Sequence, residues 1–298
     1  MSRHSVIGLH VDAALVIELL HPREPARREE FGRSIDESGI DFVVLGGDRL
    51  DAGDASHPTI DATVAATVLA RHTTSVGLVV ADTPVRDHPF NLARRLGSLD
   101  HGSHGRVGWL IGSPSVDAAV DAVSVVRKLW ESWPGDTIID DAERGIFAES
   151  ERIVYIDHAG TYSVSGPLNV PEPPQRKPPV FWRPVNEAGL MTARRTADAV
   201  ILADEDAVRR YRAHFDPDAA RDQVLLIDRH WAPGGVSPLT EADGVVFRGA
   251  TTTTLQALLD AVRREPIFQD PRRTLRDRLG LQAAETVLSG GRSAFPIS

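Results

Sequence analysis

The 298-residue sequence contains no cysteine, which excludes disulfides, thiolate catalysis and cysteine-rich zinc sites together. Catalysis therefore falls to oxygen and nitrogen groups or to a cofactor. The sequence also lacks any apolar run of about eighteen residues, and its first residues lead into a strand-like segment instead of a signal-peptide core. No membrane span is expected, and the expected location is cytoplasmic. Basic residues are in the minority, with 33 Lys and Arg against 42 Asp and Glu and a formal net charge of −9. That sign, spread along the chain, opposes a phosphate backbone and argues against nucleic acid as a partner. No Gly-x-Gly-x-x-Gly follows the first strand-like segment, which disfavours a dinucleotide-binding Rossmann domain.

What is present is regular. With 42% hydrophobic and 25% charged residues, the chain is long enough to bury one large core, and a single domain over 1–298 is the expectation. Short apolar runs alternate with amphipathic stretches, the pattern of a parallel sheet whose crossovers are helices. Eight strands are predicted, at Val6–Val11, Phe42–Leu45, 76–80, Val107–Ile111, Val180–Trp182, Ala199–Leu202, 224–227 and 244–247. Helical stripes fall between them at Phe31 and Ile35; Val64 and Val68; Leu92, Leu96 and Leu99; Val116, Val120, Val123, Trp130 and Trp133; and Leu255, Leu258, Leu259 and Val262. The stretch 135–179, rich in Asp, Gly and Pro, reads as an inserted arm with strands over 152–156 and 161–164 and a hairpin at Gly160. In 229–243 the run Ala232-Pro233-Gly234-Gly235 and Pro238 leave the seventh crossover abbreviated to a loop. Eight strand–helix units favour an α/β fold of the (β/α)8 TIM-barrel type over an open sheet.

Several segments match one family in order. They are Asp41-Phe42-Val43-Val44-Leu45-Gly46-Gly47-Asp48, His88-Pro89-Phe90-Asn91-Leu92-Ala93-Arg94-Arg95, Gly105-Arg106-Val107-Gly108-Trp109, Leu129-Trp130-Glu131-Ser132-Trp133, Ile156-Asp157-His158-Ala159-Gly160, Gly166-Pro167-Leu168-Asn169-Val170 and Thr274-Leu275-Arg276-Asp277-Arg278-Leu279-Gly280-Leu281. The chain resembles the luciferase-like flavin-dependent monooxygenases, in the branch of the nitrilotriacetate and dibenzothiophene-sulfone monooxygenases, nearly end to end. The resemblance implies a barrel that takes reduced FMN from a separate flavin reductase and oxygenates a small organic substrate in a dry pocket. It also implies a homodimer.

The chain departs from the branch where the flavin is expected. After the tryptophan of the fourth strand stands Leu110 in place of an amide, followed by Ile111, Gly112 and Ser113. After the third strand the position of a threonine is taken by Ala81, with Asp82 and Thr83 next. The glutamate-arginine-tyrosine segment after the fourth strand has no counterpart. The turn after the fifth strand reads Trp182-Arg183-Pro184-Val185-Asn186-Glu187-Ala188-Gly189, where bulky Trp182 would occupy flavin space while Asn186 caps a helix N-terminus suited to phosphate and Arg183 adds a charge. The paired histidines and tryptophan that the branch carries after the first strand are absent, and His10 and Asp12 are the nearest polar groups.

In such a barrel the site lies at the C-terminal ends of the strands. Asp48, Asp82, Thr83, Ser113, Arg183, Asn186, Asp204, His230 and Arg248 fall there. Asp48 is the first candidate, as an acceptor for flavin or substrate, against a plain loop cap. His230, beside Asp228 and Arg229, is a candidate acid or base, against a solvated loop histidine. Flavin contacts are assigned to Asp48, Ala81, Thr83, Leu110, Ser113, Trp182, Arg183, Asn186 and Gly189, and no metal site is assigned. Arg183 and Arg248 suit an anion, or else pair with acidic neighbours. His101 and His104 lie on the opposite, structural face; Thr251 to Thr254 read as a helix cap, Trp130 and Trp133 as core, and His158 with Gly160 as turn residues. Two functions follow: a reduced-FMN monooxygenase, or a non-catalytic barrel that serves as a partner subunit or binds another small molecule.

Overall fold

The computed structural model describes residues 5–20, 23–46, 60–112, 115–214, 223–232, 239–263 and 273–296. The strands are β1 (Val6–Val11), β2 (Phe42–Leu45), β3 (Gly77–Asp82), β4 (Val107–Ile111), β5 (Ile138–Asp141), β6 (Ile146–Ala148), β7 (His158–Ala159), β8 (Ser163–Val164), β9 (Val180–Trp182), β10 (Ala199–Leu202), β11 (Val224–His230) and β12 (Gly244–Arg248). The helices are α1 (Ala13–Leu19), α2 (Pro25–Ser38), α3 (Ala62–His72), α4 (Pro89–Gly102), α5 (Val116–Glu131), α6 (Glu187–Thr196), α7 (Glu205–Ala213), α8 (Thr252–Val262) and the short α9 (Leu275–Arg278). Strands β1 to β4 and β9 to β12 form a closed parallel barrel, shut where Val6 of β1 pairs with Gly244 of β12. The expected (β/α)8 barrel is present, and the described residues between β11 and β12 form no helix. Strands β3, β11 and β12 run one to three residues further toward the rim than the apolar runs suggest. No helix among the described residues is long and apolar enough to cross a membrane.

Period-two alternation divides the core in two. Val6, Phe42, Val44, Val79, Ala81, Leu110, Phe181, Ala199, Ile201, Val224, Leu226 and Val246 fill the barrel, with the Phe42 and Phe181 rings 5.1 Å apart. Their neighbours, among them Leu9, Val43, Val80, Trp109, Val180 and Trp182, face the helices. Helix α3 corrects the expected stripe. It buries Ala62, Ala65, Ala66 and Leu69, while Val64 is 55% exposed. Val68 is partly buried and packs against the core as expected, so only Val64 falls on the outer side. Trp130 is core as expected, its indole donating to Ala93 O at 3.0 Å. At the N-terminal end of the barrel, Leu275 and Leu279 of the last helix plug the interior. The plug needs glycines on the strands it meets: a Cβ at Gly77 would lie 2.6 Å from Leu275 Cδ1, and one at Gly108 3.0 Å from Leu275 Cδ2.

The arm differs from its sequence reading. The hairpin around Gly160 exists, but 152–156 is not a strand; Val154 makes only a bridge to Ser293. A second hairpin, β5–β6, precedes it. His158 is more than a turn residue: Nε2 lies 2.9 Å from Asp121 Oδ1 and Nδ1 3.2 Å from Lys128 Nζ, which pins the hairpin to α5. His101 serves structure, reaching Pro171 O at 3.2 Å.

Three buried polar knots close the N-terminal face. Lys177 pairs with Glu131, whose carboxylate also accepts from Val287 N and Leu288 N of the C-terminal tail. Asp198 joins Arg127 to Arg276. Asp100 accepts from Val107 N at 3.0 Å and from Gln175 Nε2 at 2.7 Å, with no cation bonded to it among the described residues. Burial is the largest influence on this carboxyl and pushes it up from 3.8 to about 6, against those hydrogen bonds. A raised folded-state value means that protonated Asp100 favours the fold below pH 3.8 and that this contribution is lost as pH rises through about 6. Relative to Asp100→Asn, which does not titrate, the native chain is expected to lose roughly 3 kcal/mol of stability over that interval. Urea unfolding of both proteins at a series of pH values checks this; parallel stability curves would refute it.

Candidate functional site

The C-terminal rim carries the polar groups. Asp48 and Ser113 lie outside the described residues. Ala81 and Leu110 are direct neighbours in the β3–β4 register, both buried in the barrel interior. The two positions where the sequence offers no polar flavin contact thus form one continuous apolar patch. Beside it, Asp82 is held by Arg95 at 2.5 Å, and the same guanidinium reaches Asp87 at 3.0 Å and Asp61 at 3.3 Å. Burial raises the Asp82 carboxyl despite the Thr83 amide and Arg95. At Asp61 burial acts the same way, but the amides of Val64 and Thr63 and the charge of Arg95 outweigh it and lower the carboxyl. Asp82 is therefore committed to α4. Thr83 accepts from Val85 N at 3.4 Å and is half-buried.

The β9–α6 turn places its residues differently from expectation at one point. Phe181 points into the barrel, so alternation sends Trp182 outward into the helix-facing layer, away from Leu110. The next residue, Arg183, lines the barrel mouth together with His10, Val44, Leu110, Ile201, Asp228 and Val246. Asn186 caps α6, accepting from Gly189 N at 2.9 Å. Asp204 is likewise spent as a cap, on Ala207 N.

The centre of the rim is Asp228, which the sequence marks only as a neighbour of His230. Arg248 Nε lies 3.0 Å from Asp228 Oδ1, and Arg183 Nη1 lies 4.0 Å from Oδ2, from the opposite side of the mouth. A signal for it exists in the sequence: alternation along Val224, Leu226, Asp228 and His230 puts all four on the inner face, as it does Val246 and Arg248 on the next strand. His230 Nδ1 lies 3.0 Å from Trp231 O. A ring nitrogen facing a carbonyl is the donor of that pair. The ring rests on Gly249 (φ +77°), where a Cβ would come within 2.3 Å of Nε2, so glycine is required there both for space and for backbone conformation.

Between these side chains the free space is about 20 Å³, room for a single water and far below a cofactor pocket of several hundred Å³. Among the described residues, no group of three or more His, Asp or Glu side chains is placed to hold a metal ion.

In a closed (β/α)8 barrel of this kind, the polar groups that converge at the C-terminal rim mark where a ligand site lies. The particular kinship comes from comparison: the luciferase-like monooxygenase family profile matches residues 11–229, and the chain belongs to that family. It is 32% identical over 266 residues to a pristinamycin IIA synthase component of Streptomyces pristinaespiralis, covering 85% of this chain and 88% of that one. With nitrilotriacetate monooxygenase component A of Aminobacter aminovorans it shares 33% identity over 157 residues, covering 46% of this chain and 35% of that one. EDTA monooxygenase from Chelativorans sp. BNC1 shares the fold, with a TM-score of 0.71 over 94% of this chain and 99% of that chain at 18% identity.

Proposed function

We propose that this chain is the oxygenase of a two-component system, which uses reduced FMN from a separate flavin reductase to oxygenate a small organic molecule at the C-terminal rim. The observation that carries this reading is the cationic rim: two guanidinium groups, Arg183 and Arg248, converge on the single carboxylate of Asp228, and Arg183 stands in the turn that leads into α6. That donor set fits an anionic flavin. The α6 amides, ordered by Asn186 and Gly189, together with Arg183 suit its phosphate. The Ala81–Leu110 patch offers an apolar surface to the ring. Bound there, reduced flavin supplies the electrons for activating dioxygen. His230 accepts a proton at Nε2, Thr83 adds a polar group at the end of β3, and Asp48 and Ser113, outside the described residues, stay candidates from the resemblance alone. Asp228 orients both guanidiniums toward the mouth.

Anaerobic titration with FMN and with reduced FMN, followed by fluorescence, tests the proposal. Binding of the reduced form is expected; no binding of either form up to millimolar concentration sinks it. The second reading, a barrel without flavin that acts as a partner subunit or binds another small molecule, draws on the loss of polar contacts at Ala81 and Leu110. It predicts failure of that titration together with copurification of another family member.

A further inference from the structure

We propose that Arg248 holds a carboxylate of the substrate, on the side of the barrel mouth opposite the flavin, so that the molecules oxygenated are small organic acids; the assignment rests on the flavin reading of the rim. Three polar side chains stand in a row on adjacent strands. Arg248 of β12 and His230 of β11 are register partners. On the other side of Arg248, the register that pairs Leu9 with Phe247 brings His10 of β1 alongside it. Alternation turns all three inward, in step with interior Val6, Leu226 and Val246 on the same strands.

Strand order sets this row against the apolar wall. Around the closed barrel the strands follow as β1, β12, β11, β10, β9, β4, β3 and β2, so β12 faces β4 across the axis and β11 faces β3. Leu110 stands on β4 and Ala81 on β3. A flavin ring laid on that patch, with its phosphate at the β9–α6 turn next to β4, keeps to one half of the mouth. The other half, under Arg248, is left to the substrate. Below the row, Val44, Leu110, Ile201 and Val246 close in on a space of about 20 Å³. A ligand therefore meets Arg248 with an end group and not with its body.

The guanidinium selects that end group. Arg248 Nε is turned to Asp228 Oδ1 at 3.0 Å, and the half-exposed head makes no other ion pair among the described residues. Its terminal nitrogens, Nη1 and Nη2, thus offer an edge of two parallel donors, which matches the two oxygens of a carboxylate in one plane. A tetrahedral oxyanion gains less from a single edge. Charge agrees, because Asp228 offsets only one of Arg183 and Arg248 and the mouth keeps a positive charge for an anion. His230, beside Arg248 in the register, is in place to take a proton from the group next to the carboxylate.

Calorimetric titration of the full chain with succinate, with its uncharged diamide succinamide and with sulfate is the test. Succinate is expected to bind with a Kd in the millimolar range, and succinamide and sulfate about tenfold more weakly or worse. Arg248→Gln is expected to weaken succinate binding about tenfold or more, with an unchanged melting temperature because the side chain is half-exposed. Arg248→Lys should recover only part of the loss, since an ammonium offers no two-point edge. Saturating succinate is expected to leave the affinity for reduced FMN within about twofold, as for two ligands on opposite walls. A native chain that ignores succinate, succinate binding that survives Arg248→Gln, sulfate bound as tightly as succinate, or competition between succinate and reduced FMN overturns the proposal. Absence of FMN binding beside Arg248-dependent succinate binding overturns the flavin reading alone and leaves the carboxylate site standing.

Discussion

Replacing Asp198 by alanine is expected to cost about 3–5 kcal/mol of stability at neutral pH, the scale set by leaving a buried charge without its partner. Asp198 Oδ2 lies 2.9 Å from Arg127 Nη2 and accepts from Val180 N at 2.8 Å, while Oδ1 meets Arg276 Nη2 at 3.2 Å. One carboxylate thus ties α5, the start of β9 and the C-terminal plug to the strand end before β10. Burial alone would raise this carboxyl, but Arg127 and Arg276 with the Val180 amide more than reverse that and hold it below the ordinary range. A lowered folded-state value means that the contribution is present above the usual carboxylate range and is lost as pH falls through the depressed value. The deficit of the variant relative to the native chain should therefore narrow in acid. Urea unfolding at pH 7 and at acid pH measures both; a loss under about 1 kcal/mol would mean that the knot behaves like a surface ion pair.

The barrel is legible in the sequence because its strands are buried on both faces and so read as continuous apolar runs, and because glycine and proline punctuate them. The same property hides the facing of individual residues. A run such as Val180-Phe181-Trp182 gives no polar mark to show which side is inward, so the sequence points Trp182 into the flavin space when the interior holds Phe181. In α3, Val64 and Val68 stand out as the bulkier residues, but only Val68 packs on the core, and the buried face is carried mostly by Ala62, Ala65, Ala66 and Leu69. Tertiary partners are hidden for a different reason. The bridge from Arg183 to Asp228 and Arg248 spans 45 and 65 residues of sequence, and the tie from His158 to Asp121 spans 37. Only closure of the barrel and folding back of the arm create them. The candidate rim residues can be found because placement at strand ends follows from the fold class alone. Asp228 is easily passed over because His230 beside it carries the more familiar acid–base chemistry.

Arg183→Ala is expected to weaken binding of reduced FMN about 10- to 100-fold, the loss of one charge-assisted contact in a largely desolvated mouth. The fold should survive the change, because Asp228 keeps Arg248 at 3.0 Å and is not left as a lone buried charge. Arg248→Ala is expected to do less, since that side chain is 50% exposed and its interactions are screened. The pair of variants therefore separates two explanations of the cationic rim. If Arg183 holds the cofactor, affinity falls steeply in Arg183→Ala and slightly in Arg248→Ala, while thermal stability changes little in either. If the guanidiniums serve only to neutralise Asp228, flavin affinity stays level and the two variants differ in stability alone. Fluorescence titration and a melting curve on each protein decide the matter. The second outcome would move the flavin site away from the β9–α6 turn, leaving the amides of α6 without the charge that makes them a phosphate cradle.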